Sequence, residues 1–293
     1  MSTAATHDDR SVRIEGPRVL VGVDGSEDGL RAVRYGVGAA ERRKATLHLV
    51  HAVDDAVMAG AWGVVYDPSA LQEAGEHANQ AAIELATQAG LGEDQIHAEV
   101  VLGNAAAVLA RLSEGADLLV VGRRSVSGLE RMFIGSTSVA LADAAHCPLV
   151  VISAAATPGL TGGMGRIAVG VDAQNHSPHT LEWAMAEAEA RGATLSVVHV
   201  AKQMDAGPAF DEVERAARQG IEGLLEPLRA AHPEVPVEVQ IATGSPVDEL
   251  VDLSSTVDLL VLGVQKAKLL GIHLGGVMRA VLAHAGSPVA LVQ

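Results

Sequence analysis

Short runs of Val, Leu and Ile alternate along this chain with longer stretches whose apolar residues recur at helical spacing. In the first half the runs predict strands over 18–23, 45–52, 97–102, 117–122 and 148–153. The stretches between them predict helices near 28–43, 69–89, 104–115 and 135–145. Alternation of this kind builds a parallel sheet with right-handed crossovers. Start signals agree in places. Ser245-Pro246 puts a capping serine before a proline at the first helical position, with Asp248 three residues after the cap, and Ser177-Pro178 does the same earlier.

The pattern occurs twice. Arg18-Val-Leu-Val-Gly-Val-Asp24 returns 148 residues later as Arg166-Ile-Ala-Val-Gly-Val-Asp172, and Ala45 to His51 returns at the same offset as Ala193 to His199. Asp117 to Gly122 matches Asp258 to Gly263 at an offset of 141, and Cys147 to Ile152 matches Ser287 to Val292 at 140, so the second copy is eight residues shorter between these points. The chain is a tandem duplication, which suits 293 residues at roughly 150 per domain. The expected organisation is a flexible tail (1–17), a first α/β domain (18–153), a linker (154–165, with four glycines and a proline) and a second α/β domain (166–293).

Composition narrows the function. Apolar residues make up 48% of the chain and aromatics only 2%, so the core is aliphatic and suits a parallel sheet covered on both faces. A formal charge of −15 repels phosphate backbones, and six aromatics leave little for base stacking, which argues against nucleic acid and anionic membrane as partners. A single cysteine, Cys147, excludes an intramolecular disulfide framework. The tail carries His7, Asp8, Asp9 and Arg10 without an apolar core, and no run reaches the length of a membrane span, so a cytoplasmic protein is expected.

An open parallel sheet binds ligands outside the carboxyl ends of its strands, at the switch point. There the first copy offers Gly22-Val-Asp24, His51-Ala52-Val53, and a loop from Gly122 closed by Gly135-Ser136-Thr137 at a helix start. A carboxylate for ribose or metal, strand-end backbone for a base edge, and a glycine loop running into a helix N-terminus for phosphates together describe a nucleotide. Arg123, Arg124 and Arg131 could add charge to that loop.

These residues, with the HCPLVVI segment that follows, resemble the universal stress protein family, and both copies match over most of their length. The resemblance implies two tandem five-strand domains of order 3-2-1-4-5, related to adenine-nucleotide-binding folds. It implies ATP as ligand in many members, through a loop of pattern G-x2-G-x9-G-[ST], whereas other members have lost the pattern. Carried over, that loop runs from Gly122 to Gly135-Ser136, with Arg124 inside it and Ser125 where the second glycine belongs. The second copy supplies Gly170, Asp172, Val200 and Gly263, but has Lys266 at the second glycine position, ends in Gly275-Gly276 and is one residue shorter. Tighter ATP binding by the first half is therefore expected. Asp24→Ala or Gly122→Val is expected to weaken it with the fold intact.

Other residues carry less. His51 and His199 hold equivalent strand-end positions and read as packed rings bonded locally rather than as catalysts. His176 and His179 are a close histidine pair without a Cys or Glu ligand set, so no structural metal site is expected. Cys147 reads as a packed thiol. The segment 54–68, with Trp62 and Tyr66, is a lid over adenine or an ordinary variable loop. No P-loop and no GxSxG elbow is present, and no base stands out to activate water, so Asp24 could hold a magnesium ion on the phosphates without making a dedicated hydrolase. The expected function is an ATP-binding stress protein, homodimeric, with nucleotide as a structural or regulatory ligand. The alternative is a protein that has lost nucleotide and acts through dimerisation and partner contacts. The terminal strands, 148–153 and 288–293, are expected sheet edges that mediate domain or subunit pairing.

Overall fold

A computed structural model describes residues 16–54, 68–123, 135–152, 154–156, 163–172, 178–202, 210–264 and 275–293. The first half runs β1 (Arg18–Gly22), α1 (Glu27–Arg43), β2 (Thr46–Val53), α2 (Pro68–Gln88), β3 (Ile96–Leu102), α3 (Ala105–Ser113), β4 (Leu118–Gly122), α4 (Ser136–Ala144) and β5 (Leu149–Ile152). The second repeats it as β6 (Arg166–Gly170), α5 (Pro178–Arg191), β7 (Thr194–Lys202), α6 (Phe210–Ala231), β8 (Val237–Gly244), α7 (Pro246–Ser254), β9 (Leu259–Gly263), α8 (Gly276–His284) and β10 (Val289–Val292). In the first half the strands and helices lie within a residue or two of the positions that hydrophobic period predicts. The tail to residue 15, most of the linker, Ser177 and residues 55–67 lie outside the described residues.

Each half has the order 3-2-1-4-5, but the halves do not form separate sheets. The ten strands among the described residues make one sheet, β3-β2-β1-β4-β5-β10-β9-β6-β7-β8. The expectation of two wholly parallel sheets is corrected at one seam, where β10 pairs antiparallel with β5 through Val289↔Val151, Ala290↔Val150 and Leu291↔Leu149. Both seam strands are buried along their whole length, so as free edges they would present unpaired backbone beside apolar surface. The expected pairing of terminal strands thus takes place inside the chain.

Two aliphatic cores follow from the strand alternation. Val19, Val21, Leu118 and Val120 face α1, α2, α5 and α6, whereas Leu20, Leu119 and Val121 face α3, α4, α7 and α8. Each core takes residues from both halves, so the seam is continuous on both faces. Because β10 occupies the centre of the sheet, removing residues 288–293 should abolish cooperative unfolding of the whole chain and give aggregates by light scattering. A truncated chain with an unchanged unfolding curve would contradict this placement.

The outer strands β3 and β8 are the true edges. Asn79 of α2 donates to the Glu99 carbonyl at 2.9 Å, and Arg218 of α6 donates to the Val239 carbonyl at 3.1 Å, so a side chain occupies an acceptor on each. Of the predicted helix starts, α7 begins after Ser245 with proline in its first turn, but the serine side chain makes no capping bond. Asp248 and Glu249 instead place charge at the dipole's positive end.

Candidate functional site

The antiparallel seam turns the strand carboxyl ends of the two halves toward opposite ends of the sheet, giving two crevices that face away from each other. In the first, β1 and β4 diverge at the switch point. Gly22 pairs with Val50, and beyond it the Val23 amide donates to the Val50 carbonyl at 2.9 Å. Backbone groups alternate sides with period two, so those of Ala52 point the same way as Val50 but beyond the end of β1, into the crevice. Val200 repeats this in the second half, where the Val171 amide donates to the Val198 carbonyl at 2.9 Å.

Asp24 is exposed on the rim. Its Oδ1 accepts from the Ser26 amide at 3.0 Å and the Ser26 hydroxyl at 2.6 Å, and Ser26 Oγ caps α1 by accepting from the Gly29 amide at 3.0 Å. Gly25, at φ +74, makes the turn between them. Asp28 is fully buried in the first turn of α1. Burial raises its pKa against the opposing Arg31, whose Nη1 donates to Oδ1 at 2.6 Å.

The helix N-termini differ in a telling way. Those of α1 and α3 are capped by Ser26 and Asn104, but α4 begins after Gly135 and α8 after Gly275 with no side-chain cap and no acid in the first turn. Such ends present backbone N–H donors and a positive dipole end to an anion. Ser136 and Thr137 add hydroxyls to the first; Gly276 and Val277 stand at the second and add none. Asp172 is exposed on the second rim.

The loop glycines have a structural role that the sequence did not reveal. A Cβ on Gly122 would stand 2.5 Å from the Asp28 carbonyl carbon and 2.7 Å from the Gly29 amide, so β4 packs on the backbone of α1 there. Gly22 is held open by Leu109 and Val121, Gly170 by Leu262 and Leu250, and Gly263 by Thr180. The expectation that Gly122→Val spares the fold is therefore corrected: a β-branched side chain would collide with main chain.

Arg123 also departs from expectation. It is 6% exposed, and its Nη1 donates to the carbonyls of Leu282, at 3.2 Å, and Ala283. Its guanidinium thus reaches the last turn of α8. Arg124, Ser125, Arg131 and Lys266 lie outside the described residues.

His199 Nδ1 bonds the Val171 carbonyl at 2.9 Å, as expected of a packed strand-end ring. Burial lowers the pKa of the matching His51, against the Val23 carbonyl and Asp24. Burial pushes the Cys147 thiol up to about 12, with Asp117 adding to it, so the thiol stays protonated at neutral pH. His179 lies 3.2 Å from Glu182, and His176 is outside the described residues, among which no cluster of three or more metal-type ligands occurs. Sequence reasoning missed Asn104, which accepts from the Ala106 and Ala107 amides and donates to Asp54 at 3.1 Å, tying the end of β2 to α3 at the rim. An asparagine ahead of three alanines was the available signal.

An open doubly wound half with a crevice over its switch point, repeated once, defines a tandem pair of Rossmann-like α/β domains. The model of the Universal stress protein family matches residues 17–153 and 164–293. The chain belongs to the universal stress protein family. A universal stress protein of Mycobacterium tuberculosis is 30% identical over 282 residues, covering 92% of this chain and 94% of that one. One from Mycolicibacterium smegmatis is 27% identical, covering 94% and 96%. The crystal structure of a universal stress protein from Archaeoglobus fulgidus superposes with a TM-score of 0.69 at 16% identity, covering 96% and 99%. No helix among the described residues is long and apolar enough to cross a membrane.

Proposed function

We propose that this protein holds ATP as a structural or regulatory ligand in a stress response, chiefly in the crevice of its first half. The observation that carries this reading is the N-terminus of α4. It lacks a side-chain cap and first-turn acids, adds the hydroxyls of Ser136 and Thr137, and lies at the same sheet end as Asp24 and the backbone of Ala52. Phosphates would take the amides and hydroxyls of that helix start. A base edge would take the Ala52 backbone, and Asp24 would take ribose hydroxyls or a phosphate-bound magnesium ion. Because Ser26 holds the Asp24 carboxylate, the geometry suits binding and orientation more than proton abstraction, and the reading is of a ligand retained rather than consumed. The working units are 18–153 and 166–293, joined by 154–165. Since β5 and β10 are used within the chain, a homodimer would form through other surfaces.

Mass spectrometry of nucleotide released from the denatured, purified protein tests the reading directly. Recovered ATP supports it, whereas failure to recover or titrate any nucleotide favours a protein that acts through partner contacts alone. Affinity should be unequal between the halves, because α8 offers Gly276 where α4 offers a hydroxyl. In calorimetric titrations of the full chain, Asp24→Ala should weaken the tighter site about tenfold, the equivalent of one charge-assisted hydrogen bond. Asp172→Ala should leave that site unchanged. The reverse ranking would assign the tight site to the second half.

A further inference from the structure

We propose that the outer edge of β3 is the surface on which two copies of this chain pair, β3 against the partner's β3 in an antiparallel two-fold seam; this inference rests on the homodimer, and not on the nucleotide, of the proposed function. β3 has a neighbour on one side only, β2. The Gly103 amide donates to the Val53 carbonyl at 2.8 Å. By the strand period the backbone of His97, Glu99 and Val101 therefore turns toward β2, and that of Ala98 and Val100 turns outward. Among the described residues no hydrogen bond reaches those outward groups of Ala98 and Val100. The Asn79 side chain bonds the Glu99 carbonyl, on the inward side, and leaves the edge open.

The other edge of the sheet is guarded. There the Leu195 amide donates to the Pro236 carbonyl at 2.9 Å, so Val239 turns outward, and its carbonyl is the one that Arg218 occupies. The edge of β3 is also apolar at its surface, with Ala98 exposed and Leu102 exposed by 66%. An open apolar edge tends to be paired or covered, as β5 and β10 pair inside this chain.

Charge selects a second copy as the occupant and fixes its register. With Ala98 on the two-fold axis, His97 stands opposite the partner's Glu99, and Glu99 opposite the partner's His97. On the other face Ile96 stands opposite the partner's Val100. Moving the axis to Glu99 would set two carboxylates against each other, an arrangement that destabilises a strand pair. Glu99 is already positioned on that face by His48, whose Nε2 lies 3.0 Å from its Oε1, and its side chain is still 43% exposed. The helices fit as well. α2 packs on β2 and β3, so the two copies of α2 would lie two strand spacings apart, about 10 Å, the distance of neighbouring packed helices. Gln72, Glu76 and Gln80 line the α2 side of the groove beside β3 and would form a polar rim. Because Arg218 guards β8, the assembly closes as a dimer instead of growing into a fibre.

Sedimentation velocity of the full-length protein over a range of concentrations, with cysteine cross-linking, tests this. Ala98→Pro removes an outward amide, a place where an edge strand accepts proline, and should raise the dimer dissociation constant about tenfold or more with an unchanged circular dichroism spectrum. His97→Glu faces the partner's Glu99 with a like charge, should raise it about fivefold or more, and carries the test if the proline variant does not fold. Val239→Pro, on the guarded edge, should dimerise like the wild type. Ala98→Cys places two thiols on residues whose Cα atoms lie about 5.5 Å apart, within reach of a disulfide, so mild oxidation should give a covalent dimer on a non-reducing gel. Leu102→Cys lies about 26 Å from its mate in this register and should not cross-link. A dimer that Ala98→Pro and His97→Glu leave unchanged overturns the inference alone, as does cross-linking at Leu102 in place of Ala98, or an equal loss in Val239→Pro. A wild-type monomer at every concentration overturns the homodimer and this inference with it. If that monomer is also destabilised by Ala98→Pro, another segment of the same chain covers the edge. The nucleotide reading is scored separately, by the mass spectrometry of released nucleotide.

Discussion

Glu187→Ala is expected to destabilise the whole chain by about 3–5 kcal/mol, the cost of leaving buried cations without their partner. Glu187 lies on α5 with a side chain 2% exposed, and it receives arginines from both halves. Arg43 of α1 pairs with Oε2, while Arg191 donates through Nε to Oε1 at 2.7 Å and through Nη2 to the Tyr35 hydroxyl at 2.6 Å, its guanidinium 5.4 Å from the Tyr35 ring centroid. Urea unfolding monitored by circular dichroism would measure the loss, and a change below about 1 kcal/mol would place the cluster among weak surface pairs. A pH dependence follows. Burial pushes the Glu187 carboxyl up, but Arg191 and Arg43 outweigh it and hold the pKa below the ordinary value of 4.5. Unfolded protein then binds this proton more readily than folded protein does, so the stabilisation is fully present above the unfolded pKa and is lost as pH falls through the folded one. The stability difference between wild type and Glu187→Gln should shrink on acidification below about pH 4, and a difference that grew there would reverse the assignment.

Gly122→Ala is expected to cost about 3 kcal/mol, the upper part of the range for overpacking, because the added methyl meets main chain at 2.5 Å and not the movable end of a side chain. For a protein of this size that corresponds to a fall in Tm of roughly 6–10 °C. Gly223→Ala supplies the contrast. It lies within α6 with nothing near its absent Cβ, and it should gain about 0.5–1 kcal/mol from helix propensity. Differential scanning calorimetry of the two variants separates a glycine required by packing from one that is merely tolerated. Equal shifts would mean that α1 moves away from β4 at little cost.

Most of each half was legible from period and repetition. Strands such as β4 and β9 are four or five aliphatic residues bounded by Asp and Gly, and the copies corroborate each other at offsets of 148, 141 and 140. The crevice was legible because the rim residues lie at strand ends, which a topology of known hand places together. Arg123 was not legible. Beside Arg124, ahead of a glycine-bounded loop, it reads as a phosphate ligand, and its partners lie 159 and 160 residues away. Glu187 left only a faint trace: an acid on a buried helix face at the position where the first copy has Ala39.

The sequence by itself determined the elements, their order within each half, the aliphatic cores and the strand ends where a ligand could be held. Each of these depends on spacing within a segment or on a match between copies, and hydrophobic periodicity is a local property of the chain. Only the tertiary structure decided that β5 and β10 close into one sheet, that the two crevices face opposite ways, and that Arg123, Glu187 and Gly122 serve contacts between elements. Those outcomes depend on which surfaces meet once each half has folded. Burial of two apolar edges selects the seam, and the seam then sets which charges lose water and must find partners.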